Sequence, residues 1–430
     1  MITADLVVRE CDQLLTCRGP IPKRTSALQE PGIIARGCIA SLEGRIVFVG
    51  SAQELEQEVE LTVDGIEIDG SGSVGLPGLV DSHTHLPFAG SREEEFLLRL
   101  KGYTYLQLSE KGMGIQTTVN ATRQASKEEL VALCLQRLDS MLLHGTTTAE
   151  AKSGYGLNLE DELKQLEAIH EANLKHPIDV VPTFLGAHEV PKEYKSRKED
   201  YIDLLTHEIL PKVTEGRLAE FFDVFCEEGV YSIEETERLI TAAKKSGLKI
   251  RIHADEFVSL GGAVLAAKEG ANSADHLIAI SEEGIQSLAE SDTVATLLPG
   301  VSFFLMHEAK APARKLIDGG AVVALATDFN PGSSMTESLF FILQLAVYTL
   351  GMGVEEAIQA TTANAAFALD RDKDIGSLEV GKKMDLILCA APNYPYLVYH
   401  FGINPVKHVI KNGTLVVKDG RLVTKSKIQV

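Results

Sequence analysis

Apolar and polar positions follow two different rhythms along this chain, and the switch between them divides it into three segments. Through residue 77 the apolar runs are short and are broken by turn residues. Ile39-Ala40-Ser41-Leu42-Glu43-Gly44-Arg45-Ile46-Val47-Phe48-Val49-Gly50 reads as a hairpin turning at Glu43-Gly44. From Gly381 to the end the same character returns. Asp385–Leu388 predicts a strand, and Val406–Val417 predicts a strand pair joined at Asn412-Gly413, a dipeptide that supplies the positive φ of a type I′ turn. Two strand-rich ends around one middle segment imply a single discontinuous domain; the alternative is two unrelated β decorations.

Between residues 78 and 380 the rhythm becomes strand, loop, helix, repeated. Apolar strand-like runs fall at Leu79–His83, Thr146–Lys152, Ile178–Leu185, Phe221–Phe225, Leu248–His253, Asn272–His276, Thr293–Leu298 and Ala321–Thr327. Helical patterns lie between most of them, including Ile233–Ile240, ending at Gly247, and the long run Glu337–Leu350. Eight strands alternating with helices predict an α/β fold of the (β/α)8 barrel type. An open doubly wound sheet is the runner-up. It usually carries a glycine-rich phosphate loop after its first strand, and here the first strand ends in histidines.

Composition narrows the class. With 45% hydrophobic and 24% charged residues the chain has the balance of an ordinary globular protein. Its formal charge of −20 argues against nucleic acid as a partner, and an anionic ligand would need a local cation. The six cysteines are scattered without a CxxC pair, which suits a reducing cytoplasm. No leader-like apolar stretch follows Met1, and no run approaches the ~20 residues that span a bilayer. The expectation is a cytoplasmic protein with no membrane partner.

The candidate chemistry lies where the barrel strands end. In Gly78-Leu79-Val80-Asp81-Ser82-His83-Thr84-His85, residues two apart share a face, so His83 and His85 project together. Two neutral imidazoles side by side can bind one ion. Arg251-Ile252-His253 brings a histidine to the end of the fifth strand and Asp275-His276 another to the end of the sixth. Ala326-Thr327-Asp328 ends the eighth on a carboxylate. Singly, each is a polar residue closing a strand; together they put five metal-binding or proton-carrying groups on the rim where barrel enzymes keep their chemistry.

This arrangement resembles the amidohydrolase superfamily over nearly the whole chain. The resemblance implies a small β-sandwich made by residues 1–77 and 381–430 around a catalytic barrel of residues 78–380. It implies that His83, His85, His253 and Asp328 hold one zinc or iron ion per subunit. His276 would stand beside the bound water or substrate.

Local strings are similar to the imidazolonepropionase family in particular. They are Asp81-Ser82-His83-Thr84-His85-Leu86-Pro87-Phe88-Ala89-Gly90-Ser91-Arg92, Lys152-Ser153-Gly154-Tyr155-Gly156-Leu157, Phe184-Leu185-Gly186-Ala187-His188, His253-Ala254-Asp255-Glu256 and Thr327-Asp328-Phe329-Asn330-Pro331-Gly332-Ser333. This similarity implies hydrolysis of the ring C–N bond of 4-imidazolone-5-propanoate to N-formimidoyl-L-glutamate, in histidine degradation, by hydroxide on a single ion. Glu256 would move the proton from water to the leaving nitrogen and contact the ligand, with His276 polarising the carbonyl or orienting the water. Arg92 would hold the propionate, Tyr155 and His188 would add hydrogen bonds, and Asn330, Gly332 and Ser333 would grip the ring or product. The family likeness also favours a homodimer.

Plainer readings stand beside these. Arg92 lies in Ser91-Arg92-Glu93-Glu94-Glu95 and can simply pair with those glutamates, and Tyr155 between two glycines can be a loop anchor. His144, His170, His176, His207, His307, His400 and His408 read as structural or exposed. The rival functions are a deaminase of a purine, pyrimidine or similar ring, a two-metal cyclic amidase bridged by a carboxylated Lys152, and a non-catalytic scaffold.

Overall fold

The computed structural model describes residues 1–103, 107 and 113–423, so positions 424–430 of the third predicted segment lie outside the described residues. Within them the strands form two sheets. Five strands come first: β1 (Ile2–Leu15), β2 (Ile33–Leu42), β3 (Arg45–Ser51), β4 (Val59–Asp69) and β5 (Ser73–Pro77). The middle carries β6 (Leu79–Asp81), β7 (Thr146–Lys152), β8 (Asp179–Ala187), β9 (Phe221–Cys226), β10 (Lys249–Ala254), β11 (Ser273–His276), β12 (Val294–Leu297) and β13 (Val322–Leu325). The last four are β14 (Leu386–Ala390), β15 (Val406–Lys411), β16 (Thr414–Lys418) and β17 (Arg421–Leu422).

Strands from both ends of the chain share one sheet, in the order β17-β16-β15-β14-β5-β1-β2-β3 with β4 alongside β1. The two predicted hairpins form at their expected turns. Glu43-Gly44 and Asn412-Gly413 all take positive φ (51°, 79°, 50° and 71°), as a type I′ turn requires. The sheet curls over on itself, because Ile46 of β3 and Ile410 of β15 enter the same core with Leu6, Val8, Leu386 and Leu388. Its seam is tied by Ile46 N–H to Lys382 O and Gly381 N–H to Ile46 O, each 2.8 Å. The two turns meet there. A Cβ on Gly44 would stand 2.7 Å from the Asn412 carbonyl oxygen, so this approach admits only glycine. The implied sandwich is therefore one hydrogen-bonded sheet with its core between two wings.

The middle strands pair in parallel from β6 through to β13, each within two residues of its predicted ends. Closure happens at the mouth. Asp328 N–H donates to His83 O and His85 N–H to Phe329 O, both at 3.0 Å. The buried Asp81 carboxylate accepts from Thr327 N–H and Oγ1–H at 3.1 and 2.6 Å. The result is a nearly closed eight-stranded barrel.

Alternation along the strands builds the interior. Val80, Val181, Phe221, Val294, Val322 and Ala324 form an apolar floor with the helix Ala363–Ala368. Two residues further along, on the same face, the interior turns polar: Asp223 follows Phe221 on β9 and pairs in register with Arg251 on β10. Helices start and stop as their caps dictate. Ile233–Lys245 begins at Ser232, whose hydroxyl accepts from Glu235 N–H in a capping box, and ends where Gly247 takes φ +84°. The run predicted from Glu337 starts two residues later, at Leu339, because Ser338 caps it.

Candidate metal centre and binding cavity

The strand ends bring the predicted histidines and aspartate together. His83 and His85 follow β6, His253 lies within β10, His276 ends β11 and Asp328 follows β13; all are at most 3% exposed. Ligand atoms of His83, His85 and His253 lie within 4.8 Å of one another, and so do those of His83, His276 and Asp328. Asp328 Oδ1 is 3.4 Å from His83 Nε2 and 3.2 Å from His85 Nε2. The backbone leaves the strands here in left-handed conformations that side chains rarely adopt. His276 has φ 78°, Leu277 62° and Asp328 50°.

A layer of buried polar groups aims these side chains. His83 Nδ1 is 2.7 Å from Asp275 Oδ2, and His253 Nδ1 is 3.1 Å from Asp223 Oδ1. A carboxylate can only accept, so each Nδ1 carries a proton and each Nε2 is turned toward the cluster, where its lone pair would be available to an ion. Thr84, pointing away from the histidines, donates N–H to Glu150 Oε2 at 3.0 Å and Oγ1–H to Glu150 O at 2.6 Å, which pins the His-x-His segment. Lys152 Nζ stands 2.7 Å from both Glu150 and Asp223, and Arg251 reaches Asp275 at 3.2 Å. Asp223, Asp275 and Glu150 were not predicted. Their signal is an acidic residue inside an otherwise apolar strand, as in Phe221-Phe222-Asp223-Val224-Phe225.

Lys152 bears on the two-metal alternative. Burial opposes its charge, but Asp223 and Glu150 outweigh burial and raise its pKa. A carbamate needs a neutral amine, and it would place a new negative charge against two carboxylates already in contact. The surroundings of Lys152 favour an ammonium and not a bridging carbamate.

The donor set fits a cation. His83 Nε2, His253 Nε2 and Asp328 Oδ1 are buried with no hydrogen-bond partner among the described residues. Buried lone pairs facing one another are costly unless a positive charge lies between them. The protonation balance says the same. Burial and Lys152 pull the His83 pKa down, yet Asp275 and Asp328 overcome them and hold it at about 9. The centre attracts positive charge, and three imidazoles with one carboxylate suit zinc or iron.

A cavity of about 640 Å³ opens above this centre, and Arg92, Tyr155, His188, Glu256, Asn330, Gly332 and Ser333 all line it with His85, His253, His276 and Asp328. Arg92 gives Nε–H and Nη2–H to Glu95 at 2.9 and 2.6 Å, so its predicted pairing with a neighbouring glutamate is real and yet sits inside the cavity wall. Tyr155 is 3% exposed, and its loop is shaped by Glu162, which accepts N–H from Gly154, Gly156 and Leu157. Gln165 joins that loop to the Arg92 segment, accepting from Tyr155 N–H and donating to Pro87 O. His188 stacks on His85 at 5.0 Å and directs Nδ1 to Gly154 O at 3.0 Å. Burial, with His85 and His253 nearby, keeps its pKa well below normal, so it is a neutral ring with Nε2 free to accept.

The structure adds detail at two of the predicted residues. The Asn330 amide is engaged within its own loop, accepting from Gly332 and Ser333 N–H and donating to Asp328 O, so it shapes the loop rather than offering its side chain. Glu256 Oε1 lies 3.5 Å from His276 Nδ1. Burial, together with the charges of Asp328 and Glu227, pushes its pKa well above the usual carboxyl range; a bound cation would act in the opposite sense. His307, read from sequence as structural or exposed, is exposed and lines the mouth of the cavity, and Arg99 and Glu227 line it too.

Known proteins share this architecture. The amidohydrolase family profile matches residues 74–416. The imidazolonepropionase of Alkaliphilus oremlandii is 50% identical over 97% of this chain and 99% of its own length. That of Geobacillus sp. WCH70 is also 50% identical at the same coverage, and that of Treponema denticola is 53% identical over 84% of this chain and 87% of its own. Among solved structures, a zinc-bound adenosine deaminase from Xanthomonas campestris superposes with a TM-score of 0.74 at 18% identity, covering 99% of this chain and 95% of that one. A triazine hydrolase variant superposes at 0.76 and 18%, covering 98% and 96%. These distant likenesses carry the fold, while the half-identical relatives carry more. The chain belongs to the amidohydrolase family and, within it, to the imidazolonepropionases.

Proposed function

We propose that this enzyme hydrolyses the ring C–N bond of 4-imidazolone-5-propanoate to N-formimidoyl-L-glutamate, the step of histidine degradation implied by its relatives' shared name. The observation that carries this reading is a single cavity lined both by the histidine–aspartate cluster and by a guanidinium suited to the propionate. The donor set would hold one zinc or iron ion through His83, His85, His253 and Asp328. When bound, it supplies Lewis acidity that acidifies water and polarises a carbonyl.

The chain's own residues do the rest. Asp275 and Asp223 fix two imidazoles in the tautomer that presents Nε2. Glu256 takes the proton from water and returns it to the ring nitrogen as the C–N bond breaks. His276, buried with no hydrogen bond at either nitrogen among the described residues, hydrogen-bonds the carbonyl oxygen or the water. Tyr155 stays a phenol, since burial raises its pKa, and so remains a donor to the ligand. His188 accepts through Nε2, and the loop Asn330–Ser333 presents backbone groups beside the ring.

The propionate meets Arg92 at its Nη edge, because the Nε side is taken by Glu95. A deaminase acting on a neutral base has no use for a cation there. Six free, buried cysteines support a cytoplasmic setting. A homodimer is supported by exposed apolar side chains at Tyr348, Tyr399, Phe401 and Ile403. No helix among the described residues is long and apolar enough to cross a membrane. Incubating the purified enzyme with imidazolone propionate and identifying the product tests the function; formation of N-formimidoyl-L-glutamate without ammonia is expected.

A further inference from the structure

Beside Arg92, which the family likeness assigns to the substrate tail, the cavity wall holds a second guanidinium. On the helix Glu93–Leu100 and its N-cap, Arg92, Glu95 and Arg99 are spaced three and seven apart, which puts them on one face. Glu95 is 6% exposed; it binds Arg92 through both oxygens and also accepts Gly114 N–H at 2.8 Å. Arg99 lines the same cavity and gives Nη2–H to Gly332 O at 3.1 Å. Its Nε is buried with no hydrogen-bond partner among the described residues. Both guanidiniums converge on Gly332, where a Cβ would stand 2.2 Å from Arg92 Nη1. Two guanidiniums against one carboxylate leave one positive charge on this wall. Among the described residues, the other charged side chains of the cavity away from the metal centre, Glu189, Glu227 and Glu228, are acidic.

We propose that Arg99 is a specificity-determining residue: with Arg92 it receives the substrate's single carboxylate, and Glu95 trims the pair to one net positive charge. This rests on the functional reading above. The match is to a monoanionic tail. Hydrolysis creates a second carboxylate at the former ring carbonyl, balanced by the protonated formamidine, so the product presents two carboxylates where the substrate presents one. A wall with two uncompensated guanidiniums would hold that product more tightly than the substrate; Glu95 prevents this.

The test compares kcat/KM for imidazolone propionate and for its carboxamide analogue, whose tail is neutral. Arg99→Gln is expected to lower kcat/KM for the carboxylate about tenfold or more, chiefly through KM, and for the carboxamide by less than about threefold. Adding Glu95→Gln to Arg99→Gln restores one net charge on Arg92, and should recover about threefold or more of that loss. Glu95→Gln alone should make N-formimidoyl-L-glutamate a stronger inhibitor, a readout that does not depend on how well the Arg99 variant folds. Equal losses on both substrates, or a double variant no better than the single, would show a merely structural arginine and overturn the proposal. Unchanged product inhibition in Glu95→Gln would overturn it as well. If the wild-type enzyme opens neither ring, the functional reading itself fails and takes this inference with it. If it opens both and Arg99→Gln matches wild type, only this inference fails.

Discussion

Glu256 and Arg92 sit on one cavity but carry different kinds of claim. Glu256→Gln keeps size and hydrogen bonding while removing the proton carrier. The kcat should fall roughly 10²–10⁴-fold with metal content unchanged. A variant with near-normal kcat would move proton transfer elsewhere, to His276 first. Arg92→Ala removes a charge-assisted contact of ~1.5–3 kcal/mol, so kcat/KM should drop at least about tenfold, mostly in KM. Arg92→Lys should recover only part, because an ammonium cannot replace a guanidinium that binds Glu95 and the ligand at once. Steady-state kinetics with metal analysis on each variant checks both. The histidine–aspartate cluster and much of the cavity lining were legible in the sequence because strand ends concentrate them. Arg99 was not, since its partners Arg92 and Glu95 share a face only once the segment is known to be helical. His307 was missed because it has no neighbouring motif and reaches the cavity from a loop after Phe304.

At the scale of elements, the Tyr155 loop and the segment leading to Arg92 are held by side chains of one helix. Glu162 and Gln165 lie a turn apart on the helix Leu159–Lys175, both fully buried. Gln165→Leu would leave Tyr155 N–H and Pro87 O buried and unsatisfied, a cost of about 1–3 kcal/mol each. We expect a lower denaturation midpoint and a raised KM, with metal content retained. An unchanged KM in a folded variant would mean that the two loops hold their places without this bridge. The eight barrel strands and both type I′ hairpins could be read because apolar runs and Asn-Gly-like turns are local signals. The curl of the terminal sheet could not. It depends on Ile46 meeting Ile410 and on Gly44 meeting Asn412, contacts more than 350 residues apart whose pattern looks the same in a flat sheet.

For the whole molecule, closure of the barrel and assembly of the metal centre involve the same residues. Residues beyond β6 and β13 join the barrel mouth, and the same residues supply His83, His85 and Asp328. An ion that binds only the folded chain should therefore stabilise it, by about 2.7 kcal/mol at a hundredfold excess over its Kd. Chelation should lower both the unfolding midpoint and the rate, and His253→Ala or Asp328→Ala should do the same with reduced metal content. Two ions per chain, or activity that survives chelation, would contradict a mononuclear site. The most direct test of the account is turnover of 4-imidazolone-5-propanoate by the purified enzyme, with metal content and products measured on the same sample. The account predicts N-formimidoyl-L-glutamate, no ammonia and about one zinc or iron per chain. Ammonia released from a neutral purine or pyrimidine, with imidazolone propionate left intact, would contradict it.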